Sequence, residues 1–189
     1  MKKIILLFSL LLGVACQAAK PTTAFNQAGE KIIADRGKAP EAKRLQALFD
    51  ADWAYTMAEY PESATWRGEP GHHDRWTDYS MAAINARRAS TLQVLAVLKS
   101  IDRTKLNAAE QLNYDLFRRN VELGIAGDAF PNHLLLISQM DGLQRSVASL
   151  LRMMSTRTVA DYENILARLR GTDQLVDQTI ALLKEGLRT

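Results

Sequence analysis

From Glu41 onward, apolar residues recur at three- and four-residue steps, and no segment shows sustained two-residue alternation. That period places side chains on one face of an α-helix and excludes half-buried strands. The fold class is all-α, a multi-helix array without internal repeats. Leu45, Leu48, Phe49, Trp53 and Met57 define a first long helix, which Pro61 ends. A second runs from about Ser80 to Ser100. Asn107 with Glu110 three residues later, and Thr158 with Asp161, read as capping boxes that open two more helices. Gly127 and Pro131 bracket the end of the first of these. Gly171 stops the second, and Thr172-Asp173 caps a last helix that ends near Gly186. Between the first two helices, residues 60–79 hold two prolines, two glycines, Trp66 and Trp76. That composition predicts a long irregular loop held down by aromatic anchors, and long loops in compact domains are commonly functional.

The N-terminus reads as an address rather than as fold. Lys2 and Lys3 precede an apolar run of 12 residues, Ile4 to Ala15. A spanning helix needs about 20 apolar residues, so the run fits an export signal better than a membrane anchor. Leu12-Gly13-Val14-Ala15-Cys16 resembles a bacterial lipoprotein signal, in which the cysteine is lipidated and becomes the new N-terminus. Gly13 departs from the leucine usual at that position. Ordinary cleavage after Ala18 or Ala19 is the rival, and it leads to a soluble periplasmic protein. Gln17 fits its small-x-small rule poorly. Cys16 is the only cysteine in the 189 residues, which excludes an internal disulfide. A lipid on it anchors a chain without spanning the bilayer. Gln17 after the cysteine resembles outer-membrane sorting. The expected organisation is a signal over 1–15, a tether and short helix over 16–40, and a helical domain over 41–189.

Charge excludes one partner class. Formal net charge is +3, and loss of Lys2 and Lys3 leaves a basic excess of one residue. Arg87-Arg88 and Arg118-Arg119 are isolated pairs, so there is no electrostatic footprint for nucleic acid. The chemistry motifs are sparse. None of His72, His73 and His133 is followed by Glu or by a second His four residues on, as a helical zinc peptidase requires. No Gly-x-Ser-x-Gly elbow and no glycine-rich phosphate loop occurs. Asp50 and Asp52 are two residues apart on a helix and face different sides. His72, His73 and Asp74, with Glu69 and Asp78, are the one place where metal-type side chains cluster, but adjacent histidines diverge unless the loop bends. No catalytic residue and no metal ligand emerges from the residues alone.

The order of short motifs resembles the N-terminal part of the bacterial domain of unknown function 885 family. Tyr60-Pro61-Glu62-Ser63-Ala64-Thr65, Gly68, Asp74 and Asp78-Tyr79-Ser80 carry it first. Leu112-Asn113-Tyr114-Asp115-Leu116, Gln139-Met140-Asp141-Gly142, Asp161-Tyr162-Glu163 with Arg168-Leu169, and Asp177-Gln178-Thr179-Ile180 follow. The resemblance covers about residues 41 to 189. It implies an exported or lipid-anchored, all-helical protein about three times this length, similar to helical zinc metallopeptidases. In that reading the chain is an N-terminal half whose partner is the remaining C-terminal half. Zinc belongs to a His-Glu motif further on, and the substrate is a peptide. Pro70-Gly71-His72-His73 repeats letters from near that motif, but Arg67-Gly68-Glu69 precedes it, so no metal role transfers. The same reading makes the 60–79 loop, with Trp66, His72, His73, Asp74 and Trp76, part of a cleft wall. The other reading is a stand-alone helical lipoprotein that binds a partner.

Overall fold

The computed structural model describes residues 24–188, so the signal segment and Cys16 lie outside the described residues. Eight α-helices and two short 3-10 turns occur among the described residues, with no strand. The helices are α1 (Ala24–Ala34), α2 (Glu41–Glu59), α3 (Pro61–Arg67), α4 (Met81–Lys99), α5 (Ala108–Gly127), α6 (Leu143–Met153), α7 (Val159–Arg170) and α8 (Thr172–Gly186). The all-α array expected from the periodicity is what folds.

The main core joins α1, α2, α4 and α5. Phe25 and Ile32 meet Leu45 and Leu48, and Val97 and Leu98 close the layer from α4. The polar stretch before Pro40 thus contributes a core helix. Gly29 lets α1 approach α4 closely, since a Cβ there would sit 3.1 Å from Val97 Cγ2. Phe49 and Phe117 stack at 4.9 Å between ring centres and bring α5 onto this core.

Sequence signals set the helix ends. The side chain of Ser80 accepts from Ala83 N at the start of α4. Both capping boxes, Asn107 with Glu110 and Thr158 with Asp161, form. The start of α8 differs from expectation. Its N-cap position is Gly171, which has no side chain to cap with; Thr172 is already inside the helix and donates its hydroxyl backward to the Arg168 carbonyl at 2.9 Å. The loop over 60–79 differs more, since its first third is α3. Proline is well suited to the first helical position, where its missing N–H would be unpaired anyway. Gly68 then closes the helix at φ +74°, a left-handed conformation that glycine adopts without strain.

The helix ends at one pole of the bundle are tied by a single buried side chain. Arg44 is 2% exposed. Its guanidinium donates to Ile32 O at 2.9 Å, to Glu41 Oε2 at 2.6 Å and to Ser100 O and Oγ at 3.1 and 2.8 Å. It therefore joins the end of α1, the start of α2 and the end of α4. Truncation would leave the buried Glu41 carboxylate with the Asp102 N–H alone and take the Arg44 donors from the carbonyls of Ile32 and Ser100. Arg44→Ala is expected to cost about 3–5 kcal/mol of unfolding free energy, whereas the paired Arg44→Met/Glu41→Leu change costs much less. Urea titration of the two variants measures the difference.

Candidate functional site

Three short elements meet at the far end of the bundle: α3, the extended segment 68–80, and the outer helices α6 to α8. Arg168 on α7 holds them together. It is 0% exposed, the most deeply buried charge with Arg44. Its Nε donates to Arg75 O at 3.0 Å. Nη2 reaches Thr65 Oγ1 at 2.8 Å, Pro61 O at 3.1 Å and His72 O at 3.2 Å. The Trp76 ring lies 5.2 Å from the guanidinium carbon, and its Nε1 donates to Arg168 O at 2.7 Å. No carboxylate touches this charge. Burial pulls the Arg168 pKa down, and the nearby negative charges of Glu62 and Asp74 oppose that shift.

The rest of the segment is pinned with equal care. Glu62, in the first turn of α3, accepts from Thr77 N with both oxygens, at 3.0 and 3.2 Å. Gln178 on α8 accepts from Tyr79 N at 2.9 Å and donates to Asp78 Oδ1 at 2.8 Å. Arg87 on α4, beneath the Tyr60 ring, donates to Asp78 O at 2.9 Å and to Glu59 Oε2 at 3.3 Å. A stretch without regular secondary structure is thus bonded to α3, α4, α7 and α8 at once.

A cleft of about 430 Å³ opens beside this junction, between α3 and the connection from α6 to α7. Thr65, His73, Met154, Arg157, Asp161 and Asn164 are among its walls. Asp161 shapes the floor of that connection: its Oδ2 accepts from Ser155 Oγ, Arg157 N and Thr158 N at 2.8 to 2.9 Å. The Ser155 hydroxyl, followed by the backbone donors, holds its carboxyl below the usual range. Thr65 Oγ1 accepts from Arg168 Nη2 and lies 3.0 Å from both Pro61 O and His73 Nδ1. The cleft can orient a polar ligand; its hydroxyls on Thr65 and Ser155 are each engaged with neighbouring side chains of the wall.

The five residues expected to form a cleft wall divide. His73 lines the cleft. Asp74 and Trp76 line a separate, smaller hollow of about 160 Å³. Trp66 stands 58% exposed on α3, and His72 accepts from Arg75 Nη2 through Nδ1 at 2.8 Å. The His72 Nδ1 lone pair is taken by Arg75, and the buried Arg168 guanidinium bonds the carbonyl between the two histidines. Among the described residues no group of three His, Cys, Asp or Glu side chains could hold a metal ion. Asp50 accepts from Gln46 at 2.8 Å, and Asp52 on the same helix is half-buried.

What periodicity missed is Arg168. It shares one face of α7 with Asp161, Asn164 and Ile165, and that face turns inward. Four large apolar residues of the same helix turn outward: Val159, Tyr162, Leu166 and Leu169 are 75, 55, 49 and 50% exposed. A capping box followed by an arginine seven residues later on the same helical line was the available signal.

Two predictions come from this geometry. Arg168→Lys keeps the charge but cannot serve Arg75 O and the Pro61–Thr65 turn together. It should cost about 3 kcal/mol in denaturant unfolding and red-shift tryptophan emission as Trp76 loses its partner. Burial raises the Asp52 pKa, so its charged form is disfavoured in the folded chain. Asp52→Asn should therefore raise the melting temperature at neutral pH. The gain shrinks as pH falls through the raised value toward the ordinary aspartate range, where Asp52 is protonated in both states.

A family model described as "Bacterial protein of unknown function (DUF885)" matches residues 61–189, more than half of the chain, and the chain belongs to that family. The match begins at Pro61, the first residue of α3, and takes in the whole Arg168 junction. No curated protein and no solved structure matches the chain.

Proposed function

We propose that this DUF885 chain is the N-terminal helical wall of an exported peptide hydrolase, tethered to the membrane through lipidated Cys16. The zinc-binding residues of that enzyme lie outside the chain. The observation that carries the reading is the inverted face of α7. A helix that buries an arginine and exposes Val159, Tyr162, Leu166 and Leu169 has its apolar edge free to pack against further protein. On α5, Leu112, Leu116 and Leu123 are likewise 52 to 59% exposed along one line. The Arg168 junction presents the His73 cleft from the same outer helices, the position a substrate-channel wall takes in this reading.

Export rests on the N-terminal pattern. Among the described residues no helix is long and apolar enough to cross a membrane. Lipid attachment at Cys16 supplies the anchor. Labelled palmitate should be incorporated by the wild-type chain and lost in Cys16→Ser, and incorporation that persists in that variant rejects the anchor.

The purified chain should bind hydrophobic dye and self-associate, and Leu166→Gln/Leu169→Gln should abolish both while leaving unfolding free energy within about 0.5 kcal/mol. A sharply melting, dye-negative monomer would favour a stand-alone helical lipoprotein instead. Zinc should not bind the chain tightly. A dissociation constant below about 1 μM that is lost on His72→Ala would overturn the placement of the metal site elsewhere.

A further inference from the structure

A second cavity of about 420 Å³ lies between the N-terminal half of α4 and the last turns of α5, with Tyr60 and Tyr79 on its border. Gly124 and Gly127 form part of its wall, and a Cβ added at either would meet nothing within 4 Å. Glycine weakens a helix relative to alanine. Neither is required by packing within this chain, and together they leave the cavity open.

The facing wall is rich in hydrogen-bond donors. Arg88 donates from Nη2 to His133 Nδ1 at 3.3 Å. Arginine has no acceptor, so Nδ1 accepts and the proton of the neutral ring sits on Nε2. Tyr79 lines the same space, and burial raises the pKa of its hydroxyl, which keeps it a donor. Arg87 is matched by Glu59, and Arg88 by Asp128 at 3.2 Å. Asp128 also lines the cavity, and its charge is offset by Arg88, so the remaining donors rather than excess charge set what the cavity takes.

Tyr79 and His133 also line an adjoining cavity of about 560 Å³, whose apolar walls are Met81, Leu134, Ala181 and Leu182 and whose polar walls are Ser80, Gln178 and Glu185. Donors shared with the first cavity beside the Met81–Leu182 surface suit an amphiphilic ligand.

We propose that the adjoining cavities bind an organic carboxylate with an apolar body. The carboxylate accepts from His133 Nε2, the Tyr79 hydroxyl and Arg88, while the body lies over Met81 and Leu182. The C-terminus of an apolar peptide and a fatty acid share this chemistry. The site does not depend on the peptide-hydrolase reading, because none of its residues belongs to the His73 cleft.

The test is an amide-resolved NMR titration of the full chain with octanoate, with acetyl-trileucine bearing a free C-terminus, and with the C-terminal amide of the same peptide. Saturable shifts at Gly124 and Gly127 are expected with at least one carboxylate. The amide, and separately Gly124→Leu, which fills the cavity, should each weaken binding by about tenfold or more. His133→Phe should do the same, whereas His133→Gln, which keeps a donor near Nε2, should stay within about threefold of wild type. Response to the peptide alone assigns the site to peptide ends, and response to octanoate alone assigns it to acyl chains. No saturable shift with either carboxylate, or equal binding of the amide, overturns the proposal. So does undiminished binding by Gly124→Leu.

Discussion

A guanidinium buried without a carboxylate against it organises the outer half of this protein. Arg168 has lost its water, and the loss is offset in part by three backbone carbonyls, one hydroxyl and the face of Trp76, while Nη1 is buried with no hydrogen-bond partner among the described residues. Burying a charge is costly unless it is hydrogen-bonded. The carbonyls of residues 61, 72 and 75 can supply those bonds only when α3 and the following segment take one arrangement. The charge on α7 thus specifies the path of a loop that has no ladder of its own. Glu62 and Asp74 reduce the cost from a distance, and Glu62 does so while holding Thr77.

The same device recurs with different partners. Arg44 gathers the ends of α1, α2 and α4 and shares a carboxylate with Glu41. Arg87 joins α4 to Asp78 O and to Glu59. Each arginine serves carbonyls left over where a helix ends or a loop turns, which long planar donors do better than lysine. The core of Phe25, Leu48 and Val97 supplies non-directional burial. The arginines decide which helix end meets which. Removing Arg44 or Arg168 leaves several acceptors without donors at once, so these two sites couple distant segments more strongly than an apolar contact of equal size.

Much of the fold was legible in the residues. The helical period, both capping boxes and the Gly171 stop correspond to elements of the structure, because each is a local rule that acts within a few residues. α3 was hidden by the two prolines around it, although Pro61 at the first position and Gly68 at the last are themselves helix signals. The face that α7 turns inward was not legible. Periodicity reports that an apolar stripe exists, and tertiary contacts decide whether that stripe or the opposite one meets the core. The candidate site was legible only in its location: residues 60–79 matter, but the residue that positions them lies about 90 positions later in the chain.

If Arg168 holds the junction, residues 61–79 and α7 should open together. Native-state hydrogen exchange of the unmodified chain reads this at the amides of Glu69, Thr77 and Tyr79, which are bonded to Ala64 O, Glu62 and Gln178. The account predicts that these amides exchange through one shared opening with those around Arg168, at a common free energy and denaturant dependence. Fast exchange of the segment while α7 stays protected would contradict it.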